Sequence, residues 1–150
     1  MRVRMLIGVA AVVALGCGGG VGGQKVAPVS GTVTLDGQPL ANATVSFQPV
    51  APKGSIYAGG PGSSGQTNEK GEFKLTLMTG GTGAVVGKHR VLITSLSTKD
   101  DDSDARVKPR GGPELVNKVP ERYGPGEKDE ITFEVPAGGT DKANFPLTSR

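Results

Sequence analysis

Tryptophan is absent from the chain, cysteine and histidine occur once each, and aromatic residues make up 4% of it. With Cys17 alone there can be no internal disulfide, so a folded body must hold together by burial. With His89 alone, sites built from several histidines are excluded, and any Ser–His–acid arrangement would have to use this one imidazole. Nothing near His89 resembles a nucleophile elbow. The shortage of aromatics also narrows glycan recognition, because only Tyr57 and Tyr123 could supply an exposed stacking platform. No apolar run reaches the roughly 20 residues that a membrane-spanning helix needs.

Charge excludes a further class. The net charge of +3 would suit an anionic partner, but Arg2 and Arg4 lie in a leader expected to be removed. Without them, 15 basic residues face 14 acidic ones, and no basic face is interleaved with aromatics. A nucleic-acid partner is therefore not expected.

What the chain has in abundance is glycine, 25 residues, alongside 11 prolines, a composition that favours turns and short strands over long helices. The amino terminus is different. Arg2 and Arg4 precede an apolar or small-residue run from Met5 to Gly16, which has the layout of a signal peptide. The run ends in Ala14-Leu15-Gly16-Cys17, which resembles the bacterial lipobox, where small residues precede a cysteine that receives diacylglycerol before cleavage. Ala14 and Leu15 depart from the usual order of large then small residue. The resemblance implies lipidation at Cys17; the alternative is a conventional cleavage site beside an ordinary thiol. The following glycine-rich segment reads as a flexible tether with a root-mean-square reach of roughly 15–20 Å. The expected organisation is a signal peptide over 1–16, a lipidated cysteine and tether over 17–27, and a β-sandwich over 28–150.

Beyond the tether, apolar residues alternate with polar ones. Val29, Gly31, Val33 and Leu35 share one parity, as do Ala43, Val45 and Phe47. Phe73, Leu75 and Leu77 repeat the scheme, followed by His89, Val91 and Ile93, then Ile131, Phe133 and Val135, then Ala143, Phe145 and Leu147. This period of two predicts half-buried strands with these side chains inward. Asp36-Gly37, Asn68-Glu69-Lys70-Gly71 and Gly138-Gly139 read as turns. Six strands are clear, and a seventh is expected near residues 55–60. Short strands between Gly/Pro turns predict an all-β, antiparallel, Greek-key-type sandwich.

The segments "VSGTVTLDGQPLANATVSFQP", "GQTNEKGEFKLT", "GKHRVLITS", "VPERYGPGEKDEITFEV" and "NFPL" resemble the carboxypeptidase-regulatory-like, or transthyretin-like, domain of small bacterial lipoproteins. The resemblance runs from Val29 to Leu147. It implies a sandwich fold and an envelope location more than an activity. Urate-derivative hydrolases of transthyretin-like form use several histidines and a characteristic carboxy-terminal tetrapeptide, and this chain has neither.

The remaining candidates are sparse. His89 is expected to pack inward, and Tyr123 to be a partly buried plug with a wet hydroxyl or, on the minority reading, a ligand contact. Asp100, Asp102 and Asp104 have calcium-loop spacing, but Ala105 replaces the turn glycine and Gly111 stands where the bidentate glutamate belongs. A solvated loop is the simpler reading, and neither a metal nor a cofactor is expected. The chain thus reads as a non-enzymatic envelope lipoprotein, held to an outer or periplasm-facing membrane, with an interaction or structural module. Binding is expected through loops 49–66 and 97–128, to an envelope protein. The alternative is a glycan- or small-molecule-binding protein contacting its ligand through Tyr57 and Tyr123.

Overall fold

A computed structural model describes residues 23–51, 59–98 and 115–150. In chain order the strands are β1 (Val26–Ala27), β2 (Ser30–Leu35), β3 (Gln38–Pro39), β4 (Thr44–Pro49), β5 (Ser63–Gln66), β6 (Glu72–Lys74) and β7 (Thr76–Leu77). They continue with β8 (Ala84–Val85), β9 (Gly87–Thr94), β10 (Leu96–Thr98), β11 (Leu115–Asn117), β12 (Ile131–Val135) and β13 (Phe145–Leu147), with one 3-10 turn at Glu121–Tyr123. The fold is all-β.

A five-stranded antiparallel sheet runs in the order β12-β9-β4-β5-β7. A second sheet runs β13-β2-β3, with β6 also paired to β2. Two short ribbons, β1–β8 and β10–β11, flank them. The two larger sheets meet across an aromatic core, with Phe47 of β4 and Phe145 of β13 at 6.1 Å between ring centroids. All four phenylalanines of the chain join this cluster, so a sparse aromatic complement is concentrated in one place.

The alternation in the sequence maps onto this core. Val29, Val33, Val45, Phe47, Phe73, Leu75, Val91, Ile93, Phe145 and Leu147 are buried, while Leu35, Ile131 and Phe133 are half-buried against them. The Asp36-Gly37 turn has φ of 50° and 80°, the paired positive values a two-residue hairpin requires, and Leu35 faces Gln38 across it. Asn68 closes the next turn by accepting the Lys70 and Glu72 N–H groups on Oδ1, at 2.9 Å each.

Several features differ from the expectation. The seventh strand lies at Ser63–Gln66; residues 59–60 form a bend, and 52–58 lie outside the described residues. Ser63–Gln66 is paired on both sides, by β4 and β7, which removes it from the loop expected over 49–66. The β13–β2 pair is parallel rather than antiparallel. No hairpin constrains β13, because it arrives from β12 by a connection that crosses to the other sheet. Finally, Val26–Ala27, placed in the tether by the sequence, pairs with Val85 and Ala84, and Ala27 is buried.

Glu72–Leu77 holds the corner between the sheets. Its first half pairs with β2 and its second half with β5, so one short run of chain changes sheet at Leu75.

Candidate polar groove

The change of sheet opens a groove of about 600 Å³ beside the β2–β6 ladder. Register decides what lines it. Ser30 faces Lys74 and Thr32 faces Glu72, so these four side chains share the outer surface, while Gly31 and Phe73 between them point inward. Gln66, Asn68 and Asp141 complete the polar wall.

The groove is held by short-range bonds. Asn68 Nδ2 donates to Glu72 Oε2 at 2.9 Å, which aims that carboxylate. Asn144 Oδ1 accepts the Thr32 N–H at 3.1 Å and the Thr32 hydroxyl at 3.0 Å, tying the ladder to the segment before β13. The lining therefore offers hydroxyls, amides, two carboxylates and one ammonium, carried by β2, β5 and β6 and by the connections that hold Asn68 and Asp141. That set can bind a polar ligand through hydrogen bonds. It contains no histidine or cysteine. Among the described residues, no group of three His, Cys, Asp or Glu side chains converges as a metal site would require, and no helix is long and apolar enough to cross a membrane.

Of the residues singled out from the sequence, Cys17, Tyr57 and the Asp100–Asp104 loop lie outside the described residues. Tyr123 is half-buried and packs against the core. Its hydroxyl is engaged: it accepts the Thr148 N–H at 3.1 Å and an Arg122 Nη2 hydrogen at 3.2 Å. The Arg122 guanidinium stands 4.9 Å over the ring, and Arg122 also donates to the Thr148 carbonyl. Arg122 Nε lies 3.6 Å from Asp129 Oδ2, an ion pair longer than a hydrogen bond. Hydrogen bonds from Thr148 hold the phenol below its ordinary pKa, with Arg122 assisting. Nearby, the Ser149 N–H donates to Asp36 Oδ1 at 2.9 Å and lowers that carboxyl's pKa. Tyr123 and its neighbours thus clamp the carboxy-terminal strand to the body.

The groove residues were missed because their signal is weak. Glu72 and Lys74 flank Phe73, so alternation places them outward, but only pairing with Ser30 and Thr32 makes them a surface.

His89 is fully buried, in register with Phe133 and 5.6 Å from the Phe47 ring. Nδ1 lies 2.9 Å from the Gly87 carbonyl, so that nitrogen carries the proton and donates, leaving Nε2 as a buried acceptor without a partner. Its neighbours in the core are the Phe47 and Phe133 rings, while Lys88 and Arg90 project from the opposite face of β9. Burial pushes the His89 pKa below its ordinary 6.5, against a smaller raising effect of the Gly87 bond. An unfolded chain gains the proton first as pH falls, so the stability from neutral His89 is full above pH 6.5 and is lost below it. The slope is at most about 1.4 kcal/mol per pH unit. Thermal melts between pH 7.5 and 5.5 should show this loss in the native protein and a flatter profile in His89→Leu. Asp36 and Glu130, whose carboxyls are lowered chiefly by Ser149 and by Arg90 respectively, act in the same sense, losing stability as pH falls, but at lower pH, outside that window.

Comparison with family models, curated proteins and solved structures found no match for this chain.

Proposed function

We propose that the chain is an exported envelope protein, anchored by lipid on Cys17, whose body is a non-enzymatic interaction module that receives its partner in the Glu72–Lys74 groove. The body is read as a Greek-key sandwich of the transthyretin-like, carboxypeptidase-regulatory-like class, a reading supported by the segments that carry the resemblance and by two sheets facing across one core. The observation that carries the binding reading is the groove itself: opposite charges and hydrogen-bonding groups fixed on paired strands, with the single imidazole buried elsewhere. Such a surface positions a partner through hydrogen bonds and charge, and the one imidazole of the chain is not part of it.

A second reading rests on the same lining. Amide, hydroxyl and carboxylate groups match the hydroxyls of a sugar, so a glycan is the alternative occupant.

Anchoring is tested by intact mass and membrane fractionation of the full chain. The mature species should carry acyl mass, and Cys17→Ser should release it from the membrane; a mature species without acyl mass overturns the anchoring. Partner binding is tested with the paired variant Glu72→Lys/Lys74→Glu, which reverses the charges at two exposed positions. Capture of a protein from envelope extract should be lost in this variant with unchanged melting temperature. Retention of the same partner overturns the groove, and binding on a glycan array that the variant abolishes selects the sugar reading.

A further inference from the structure

At one end of the body Gln24 Nε2 donates to the Gly59 carbonyl at 3.2 Å and the Val86 N–H donates to the Lys25 carbonyl at 2.8 Å, so the chain leaves toward Cys17 from here. The same end holds the close of β4, where the Val50 N–H donates to the Lys88 carbonyl at 2.8 Å, and the close of β7, where the Met78 N–H donates to the Gly62 carbonyl at 3.0 Å. Two large apolar side chains stand exposed there, Met78 at 80% and Val50 at 43%. Lys25 and Lys88 are exposed beside them, with Glu134 in register with Lys88. The opposite end carries the polar Asn42, Thr44 and Glu69 and also the exposed Leu96 and Val116 just past the close of β9, so it is the distance from Cys17, not apolar exposure by itself, that sets the tether-side end apart.

Only Gly18–Gly23 separates Cys17 from the first residues of the body. Six residues reach roughly 20 Å at full extension, and as a flexible chain about 13 Å. A lipid on Cys17 therefore holds this end within that distance of the bilayer. Exposed apolar side chains flanked by lysines are the groups that partition into a phospholipid interface, apolar atoms entering and ammonium groups meeting phosphates.

We propose that this tether-side end is a membrane-contact face, with Met78 and Val50 entering the interface of an anionic phospholipid surface and Lys25 and Lys88 binding its headgroups. The inference rests on the lipid anchor at Cys17. It fixes the orientation of the body and turns the Asn42–Glu69 end away from the membrane.

The absence of tryptophan supplies a clean reporter. Full-length acylated protein carrying Met78→Trp, or Glu69→Trp at the opposite end, is reconstituted into phosphatidylglycerol–phosphatidylethanolamine vesicles. Tryptophan at position 78 should emit to the blue of tryptophan at position 69 and lose its emission to brominated lipid. Lys25→Glu/Lys88→Glu should reduce that quenching. Equal, solvent-like emission from both positions, in protein whose intact mass shows the acyl chains, overturns the contact face while the anchor stands. Protein without acyl mass that does not sediment with vesicles overturns the anchor itself, and the inference with it.

Discussion

Phe47→Ala is expected to lower the stability of the body by about 3–5 kcal/mol, the range for removing a large aromatic from a packed core. Phe47 is fully buried at the centre of the five-stranded sheet. Its ring meets Phe133 edge-on at 5.7 Å, Phe145 at 6.1 Å and His89 at 5.6 Å. Truncation removes one of the two aromatic contacts between the sheets, leaving Phe133 against Phe145 at 5.9 Å, and widens the space around an imidazole that already lacks a partner on Nε2. Paired strands border Phe47 on both sides, with Ser63 and Val91 in register, so backbone collapse cannot fill the void. Stabilities of small domains are about 5–15 kcal/mol, so the loss is a large share of the total. Denaturant titration should show a lower midpoint at an unchanged slope. Phe47→Leu, which keeps most of the volume, should cost less. A Phe47→Ala protein within about 1 kcal/mol of the native one would contradict the central place given to this ring.

Gly31→Ala should be comparably severe for a different reason. A β-carbon at Gly31 would sit 2.0 Å from the Ala143 carbonyl oxygen and 2.4 Å from its carbon. These are backbone atoms and cannot rotate away. The Ala143 N–H donates to the Ser30 carbonyl at 3.2 Å, and Asn144 is bonded to Thr32, so the approach is pinned on both sides of the clash. One methyl must push β2 and the entry to β13 apart, at an expected cost of about 3 kcal/mol or more, the upper end for overpacking. The Phe145 and Leu147 amides should lose hydrogen-exchange protection before the β4–β9 ladder does. Gly138→Ala is the control: a β-carbon there has no neighbour within 4 Å, and its backbone is not in the positive-φ region. It should change stability by no more than about 0.5 kcal/mol.

The two positions mark different kinds of legibility. Phe47 declares itself in the sequence, because it ends the Ala43-Val45-Phe47 alternation and only an inward side chain satisfies that pattern. Gly31 also falls on an inward parity, but nothing local says that another backbone passes over it. That partner lies more than a hundred residues away, and its approach is set by β13 adding in parallel to β2. The groove is of the second kind. Glu72 and Lys74 read as ordinary solvated residues until β6 is paired with β2 and the chain turns to β5 at Leu75. Tyr123 falls between: its partial burial was legible, whereas the bonds of its hydroxyl to Thr148 and Arg122 depend on where the carboxy-terminal strand docks.

The sequence by itself determined six strand segments, their inward faces and the turns, because a side-chain period of two and the backbone freedom of Asp36-Gly37 are local properties. It also set the limits on chemistry, since one cysteine and one histidine leave little to arrange. Tertiary structure alone decided the pairing order, the parallel β13–β2 contact, the sheet change at Leu75 and hence which polar residues stand together. Those outcomes are contacts between distant segments, and their energies appear only when the two sheets close on a shared core.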